Sequence, residues 1–313
     1  MTPKMALRVV MVSVLGWSLI AGALPATDLI QTLDGRTISP QQPEAEFAGK
    51  QEAFLREALA QRTAQPENAD AWVWVGRRQA YLGRYLEAVT TYDEALERFP
   101  EDARFLRHRG HRNITLRRLD EAVADLSQAA EMVAGLVDQV EPDGLPNALG
   151  IPTSSLQTNI WYHLGLALYL QGDFIGAAKA YGHCRRLSTN PDMEVAASYW
   201  LYLSLRRAGD DADAHEVLAG ISPDLELIEN DGYYDLLLLF ASGGDGAGLM
   251  HGASDDKGAV AFPTTAYGVG VWHHINGRND RALRVFEAIL ASPAVSAFGY
   301  IAAEAEAARA ARR

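Results

Sequence analysis

The sequence predicts an all-α protein built from stacked helix pairs. Gly76 and Gly110 are 34 positions apart, and Ala88 and Ala122 repeat that spacing. In both copies a second alanine follows the glycine 19 positions later. Apolar residues recur at helical spacing on both sides of a break at Gly83, as expected of two helices joined by a turn. One such pair cannot bury its apolar face alone, so neighbouring copies are expected to share a continuous core.

The composition is that of a folded chain. Of its 313 residues, 48% are apolar and 22% are charged, which argues against intrinsic disorder. Lys and Arg number 28 against 40 Asp and Glu, a net charge of −12 that argues against nucleic acid as a partner. The single cysteine, Cys184, excludes an intrachain disulfide and a zinc site made of several thiolates.

The first 23 residues have the pattern of a secretory signal peptide. Lys4 and Arg8 precede an uncharged apolar run over 9–24, and small residues stand where a signal peptidase would cut, after Ala23. Retention as a membrane anchor is the alternative, but the run is shorter than the roughly 20 residues that span a bilayer. We expect cleavage, export to the periplasm or the medium, and no membrane span in the mature chain. Cleavage would leave 26 basic and 40 acidic residues, a net charge of −14.

Residues 67–134 contain the first two copies of the repeat, of which the first, together with the third unit described below, is the more specific. Their bulky, small and helix-ending residues include Trp72, Gly76, Tyr85, Ala88, Tyr92, Ala95, Pro100, Leu106, Gly110, Ala122, Leu126 and Ala129. This pattern resembles the tetratricopeptide repeat, a helix–turn–helix unit of about 34 residues. Small residues at the glycine and alanine positions would let the two helices of a unit cross closely. The resemblance implies a right-handed α-solenoid whose first helices line a concave side.

The same spacing divides the rest of the chain. Residues 158–222 hold a third unit with Gly165, Ala177 and Cys184 at the repeat positions, and a weaker fourth unit. Residues 24–66 are predicted to form an N-terminal part with an Asp34-Gly35 hairpin turn and a capping helix, and residues 135–157 an insertion loop. Residues 223–258 are a degenerate unit, in which a glycine-rich loop at 242–258 replaces the second helix. Residues 259–313 hold a fifth unit and a C-terminal capping helix.

A cluster of six arginines stands out in this acidic protein. Between Ala103 and Leu119 there are Arg104, Arg107, Arg109, Arg112, Arg117 and Arg118, together with His108 and His111 and no acidic residue. The resemblance implies that the partner-binding groove is lined by Arg77, Tyr81, Arg104, Arg107, His111, Tyr162, His163, Tyr169, Tyr199 and Arg206. Arginine binds a carboxylate through two parallel hydrogen bonds, which suits an extended acidic peptide. The alternative is internal pairing of these arginines with Asp93, Glu94, Glu97, Asp120 and Glu121.

The sequence offers no catalytic constellation, so we expect no catalytic residues, no metal and no cofactor. The function it favours is a non-enzymatic exported adaptor that binds a protein or peptide in its concave groove. One alternative is a hydrolase or other enzyme whose site is formed by the loops 135–157 and 242–258, which predicts that His251, Asp255 and Asp256 cluster with Asp143. Another is anchoring to an anionic envelope surface through the basic helix 104–118.

Overall fold

A computed structural model describes residues 29–253 and 260–312, in which the secondary-structure elements are helices apart from one small hairpin. The predicted signal peptide lies outside these residues. Among the described residues, no helix is both long and apolar enough to cross a membrane. The elements are β1 (Ile30–Gln31), β2 (Thr37–Ile38), α1 (Ala45–Ala64), α2 (Ala69–Tyr81), α3 (Tyr85–Arg98), α4 (Ala103–Thr115), α5 (Leu119–Met132), α6 (Leu156–Gln171), α7 (Phe174–Leu187), α8 (Pro191–Ala208), α9 (Asp211–Ala219), α10 (Asp231–Ser242), α11 (Ala247–Ala253), α12 (Ala261–Ile275), α13 (Asn279–Leu290) and α14 (Phe298–Ala311).

The N-terminal part forms the hairpin and a helix that covers the first pair. Strands β1 and β2 are antiparallel, with Ile30 opposite Ile38. Gly35 takes a φ of 89° in the turn between them, a conformation that favours glycine, as the Asp34-Gly35 pair indicates. Helix α1 packs against α2.

The body consists of helix pairs, which confirms the all-α solenoid fold class. Turns of two or three residues join α2 to α3, α4 to α5, α6 to α7, α8 to α9 and α12 to α13. Helices α2, α4, α6, α8, α10 and α12 each contact the next in this series, and we call this row the inner layer. The repeat glycines explain why each pair packs closely. A Cβ placed on Gly165 would lie 2.7 Å from the Tyr181 ring, and one on Gly110 would lie 2.6 Å from Leu126.

The predicted glycine-rich loop at 242–258 is wrong over part of its length. Residues Ala247–Ala253 form the short helix α11, which packs against α12. The loop was predicted because glycine disfavours a helix by about 1 kcal/mol per residue. Contacts of Leu249 and Met250 with the core stabilise the helix despite its glycines. Residues 254–258 of the predicted loop lie outside the described residues.

Aromatic side chains fill the core of the inner layer. Trp200 is 1% exposed and stacks on Tyr181 and Tyr267, with ring centroids 6.1 and 5.8 Å away. Its indole nitrogen donates a hydrogen bond of 2.9 Å to the hydroxyl of Tyr162. The hydroxyl of Tyr267 donates to that of Tyr169 at 2.8 Å. Three units are therefore joined by stacked rings whose polar atoms are largely paired with one another.

Helix α14 returns to the inner layer, unlike a helix that only caps the end of the array. It packs against α6, α12 and α13. A Cβ on Gly299 would lie 2.1 Å from the carbonyl oxygen of Pro263, so only glycine permits this approach. Glu304 is fully buried and accepts hydrogen bonds from Arg117 Nη2 at 2.6 Å and Nε at 2.9 Å. Glu306 pairs with Arg207 and Arg309.

Arg117 occupies a turn position that the other units give to glycine. It follows Gly83 by 34 positions and has a φ of 63°, against 76° for Gly83. A residue with a side chain in this left-handed conformation costs about 1–2 kcal/mol. The side chain of Arg117 is 1% exposed and makes the ion pair with Glu304. The strained turn therefore places a buried guanidinium group opposite α14.

The close packing of the repeat glycines predicts opposite effects for one substitution at two sites. Gly165→Ala should lower the free energy of unfolding by about 1–3 kcal/mol, because the new methyl group meets the Tyr181 ring. Gly49→Ala in α1 should raise it by up to about 1 kcal/mol, because nothing lies within 4 Å and alanine favours a helix. Urea unfolding followed by circular dichroism measures both. Equal effects at the two sites would contradict this packing.

The ion pair of Arg117 with Glu304 predicts strong coupling between the two residues. Glu304→Gln should cost about 3–5 kcal/mol, because it leaves a buried guanidinium charge without its counter-charge. Arg117→Gly removes the backbone strain of the turn but leaves the buried Glu304 carboxylate without a counter-charge. The double variant should lose less free energy of unfolding than the two single variants added together. Glu46→Gln is the control, since its pair with Lys50 is exposed and contributes less than about 0.5 kcal/mol. Additive losses in urea unfolding would show that the two side chains are not coupled.

Candidate functional site

A small polar cavity lies between the predicted arginines and the insertion. Its volume is about 150 Å³, and its wall contains positively and negatively charged side chains. The lining side chains include Arg77 from α2, Arg107 from α4, Asn159 from α6 and Glu141 and Asp143 from the insertion. Two larger pockets, of about 610 and 470 Å³, border α14 and contain none of the ten predicted groove residues.

The insertion comprises residues 135–155, since α6 begins at Leu156. Hydrogen bonds join its two ends. Val140 pairs with Ser155 across the base, and the Leu156 amide donates to the carbonyl of Gln139 at 2.8 Å. The carboxylate of Asp138 accepts a hydrogen bond of 2.6 Å from the Ser155 hydroxyl. The insertion is therefore a closed loop with a defined position.

The middle of the insertion lies on α2. Arg77 Nη1 donates to the carbonyl oxygen of Pro142 at 2.6 Å, and Arg78 Nη1 donates to that of Gly144 at 3.3 Å. A Cβ on Gly144 would lie 2.3 Å from the hydroxyl oxygen of Tyr81, so the backbone approaches this surface as closely as glycine allows. We call Arg77, Arg78 and Arg107 the arginine face.

Glu141 is the polar centre of this contact. It is 8% exposed, and one carboxylate oxygen lies 2.9 Å from Arg107 Nη2 and accepts a hydrogen bond from Asn159. Its other oxygen lies 3.4 Å from His108 Nε2. Arg107 Nη1 lies 2.9 Å from His108 Nδ1, which assigns the ring proton to Nε2, facing Glu141. Arg107 Nε is buried without a hydrogen-bond partner, so the guanidinium group keeps one unused donor.

Two buried histidines, His108 and His163, and the half-buried His111 lie beside the arginine face. The rings of His111 and His163 are 4.2 Å apart, and Phe298 of α14 lies 5.5 and 5.7 Å from them. Burial lowers the pKa values of His108, His111 and His163 well below the usual value, and the charges of nearby arginines lower them further. All three rings are therefore neutral at neutral pH.

The structure brings together only part of the predicted groove. Arg77, Tyr81 and Arg107 share one surface, and His111 lies beside it. Tyr162, His163, Tyr169 and Tyr199 are at most 8% exposed and pack in the core or under α14. The expectation of one open groove lined by all ten residues is corrected, because α14 and the insertion cover the inner layer.

Two predicted groove residues are engaged elsewhere. Arg104 pairs with Asp102 and Asp70, which raises its pKa. Arg206 Nε lies 2.7 Å from Asp211, and its Nη1 donates to the hydroxyl of Tyr202 at 2.8 Å.

The alternative of internal pairing holds for most of the cluster, although largely with other acids. Arg109 pairs with Asp93, as that alternative predicted, and also with Asp125. The remaining acidic partners were not predicted, and they are Asp70 and Asp102 for Arg104, Glu141 for Arg107 and Glu304 for Arg117. Four of the six arginines are thus paired with carboxylates.

Sequence reasoning missed Glu141 and Asn159. The signal was present in Glu141-Pro142-Asp143, an acidic stretch in an insertion that follows directly after the basic helix and its partner. Nothing in the spacing of the repeat marks Asn159, which becomes important only because the insertion folds back over α6.

Among the described residues, no group of side chains has the arrangement of a catalytic site. No group of three or more His, Cys, Asp or Glu among them could hold a metal ion. Cys184 is fully buried, which raises the pKa of its thiol to about 12 and keeps it protonated. The cluster predicted by the enzyme hypothesis includes Asp255 and Asp256, which lie outside the described residues. Asp143 accepts a hydrogen bond from the Leu145 amide in its own turn.

No protein-family model and no curated protein matches the chain. Among solved structures, it is similar to YrrB, a TPR protein with an unusual peptide-binding site, at a TM-score of 0.43 and 14% identity over 74% of this chain and 90% of YrrB. It is also similar to a chain of the Naa15/Naa10 complex bound to HypK-THB, at a TM-score of 0.37 and 15% identity over 79% of this chain and 36% of the other. Neither similarity assigns a ligand to this protein.

The buried histidines predict a loss of stability in mild acid. Their folded-state pKa values are lowered, so below about pH 6.5 the unfolded chain binds more protons and the free energy of unfolding falls. Each buried histidine contributes up to about 1.4 kcal/mol per pH unit there. His163→Phe should therefore flatten the slope between pH 7 and 5.5 in urea unfolding.

Tyr162→Phe is the matched control. Burial raises the pKa of Tyr162 well above 10, so its hydroxyl does not titrate in this range. This substitution removes a hydrogen bond to Trp200 and should shift the whole stability curve without changing its slope. An unchanged slope in His163→Phe would show that His163 is not a source of the pH dependence.

Proposed function

We propose that the protein is a non-enzymatic, exported scaffold that binds a protein or peptide partner, and that an extended acidic segment of the partner lies on the arginine face. One observation carries this proposal. Arg77 and Arg107 already hold such a segment within the chain, through the Pro142 carbonyl and the Glu141 carboxylate. Surfaces that bind main-chain carbonyls and one carboxylate can bind other acidic peptides in the same way.

Exposed apolar side chains beside the arginine face support a contact surface there. Thirteen large apolar side chains are exposed among the described residues, and six of them belong to the insertion. They are Leu136, Val137, Val140, Leu145, Leu149 and Ile151. Such a concentration of exposed aliphatic groups on one loop is typical of protein contact sites.

The other hypotheses have less support. An anionic envelope surface would need free positive charge, whereas four of the six clustered arginines are neutralised by carboxylates within the protein. The enzyme hypothesis needs titratable groups of both loops to converge, and the cavity lined by Glu141 and Asp143 includes no described residue of the 242–258 loop. Export rests on the pattern of the first 23 residues.

Partner capture tests the proposal. The mature chain, residues 24–313, is immobilised, exposed to periplasmic extract or culture medium, and the affinity of the retained protein is measured after purification. Arg77→Ala should weaken binding about tenfold or more, as loss of a central arginine does in other interfaces. The melting temperature should change little, because Arg77 bonds to a loop carbonyl.

Arg98→Ala is the control, since Arg98 pairs with Glu67 away from the arginine face. It should leave the affinity unchanged. Undiminished binding by Arg77→Ala would contradict the proposed surface. Loss of binding accompanied by a large fall in melting temperature would assign Arg77 a structural role instead.

A further inference from the structure

We infer that the insertion is an internal ligand: Glu141 occupies the position of a partner's carboxylate on Arg107, and a peptide carrying a Glu or Asp side chain must displace it to bind. This inference rests on the proposed function and adds to it both the group that is recognised and the element that controls access.

The first support is how little apolar surface holds the insertion in place. From 139 to 152, only Glu141 and Gly144 are buried. The aliphatic side chains of this stretch face solvent, so lifting it away from α2 uncovers little apolar area. A structural cover would be expected to turn those side chains toward the core. The insertion is therefore held mainly by polar contacts, which a competing ligand can replace.

The second support is that a displaced Glu141 must be replaced by another carboxylate. Arg107 is 9% exposed, and Glu141 is the only carboxylate to which the described residues pair it. Leaving a buried guanidinium charge without a counter-charge is strongly unfavourable. A neutral peptide would incur this cost, whereas an acidic side chain would restore the contacts with Arg107 and Asn159.

The third support is access to the arginines while the insertion is closed. The cavity of about 150 Å³ adjoins both Arg77 and Arg107 beside the Glu141 carboxylate. A second carboxylate can thus approach the arginine face before Glu141 has left, which lowers the barrier to exchange.

The probe is a labelled, C-terminally amidated peptide with the sequence of residues 138–146 and Asn in place of both aspartates, so that its glutamate is the only carboxylate. The same peptide with Gln in place of the glutamate is its control. Fluorescence anisotropy measures binding to the mature chain and to two variants that weaken the internal contact differently. Glu141→Gln removes the competing charge. Gly144→Ala keeps every charge but forces a Cβ to within 2.3 Å of the Tyr81 hydroxyl.

Both variants should bind the acidic peptide at least about tenfold more tightly than the wild type, because a site that is mostly occupied internally has a correspondingly weakened apparent affinity. Glu46→Gln makes the same charge change as Glu141→Gln on an exposed residue of α1 and should behave like the wild type. The Gln peptide should bind none of the four proteins appreciably. If Glu141→Gln does not fold, as judged by circular dichroism, Gly144→Ala decides.

Unchanged affinity in the folded variants would overturn the inference. If a captured partner still binds in an Arg77-dependent way, the proposed function stands and only the role of the insertion is wrong. If capture also fails, the arginine face is not a binding surface. Equal binding of the Gln peptide would show that the site does not recognise a carboxylate.

Discussion

The position of helix α14 on the inner layer depends on the buried ion pair between Arg117 and Glu304. It joins the turn between α4 and α5 to the last helix, 187 positions further along the chain. Since both side chains are at most 1% exposed, each charge needs the other, and α14 is held against the inner layer. That placement brings Phe298 onto His111 and His163. The part of the inner layer left for a ligand is therefore the end formed by α2 and α4.

Pairs of arginine with glutamate recur in this protein, and the packing around each pair sets how permanent it is. Glu304 lies on a helix that also buries Tyr300 and Ile301, so breaking its contact would expose apolar surface as well as charge. Glu141 lies on a loop whose aliphatic neighbours are already in solvent. The same pairing chemistry thus fixes α14 in place, whereas at the insertion it forms a contact that another carboxylate can exchange.

Much of the fold could be predicted from the sequence because close packing repeats along the chain. Each repeat glycine meets the residue 16 positions later, as Gly165 meets Tyr181, so the spacing itself encodes how a pair crosses. The candidate site was harder to predict, because the groove residues were assigned by resemblance to an open solenoid. Tyr162, Tyr169 and Tyr199 are core residues here, since α14 and the stacked rings fill that space. Partners such as Glu304 lie too far along the chain for local charge patterns to identify them. Arg117 was the visible signal, since it stands where the preceding unit has Gly83.

The charges of the protein determine when an acidic segment is attracted to the arginine face. The whole chain carries a net charge of −12, and with the insertion closed most of the clustered arginines are matched by carboxylates. A closed molecule therefore offers little long-range attraction to an acidic segment. If the insertion leaves, Arg77, Arg78 and Arg107 lose the acidic group that lies over them, while the rest of the surface stays acidic. Attraction would then be confined to one small area, so an acidic partner gains its favourable contacts only where it can replace Glu141.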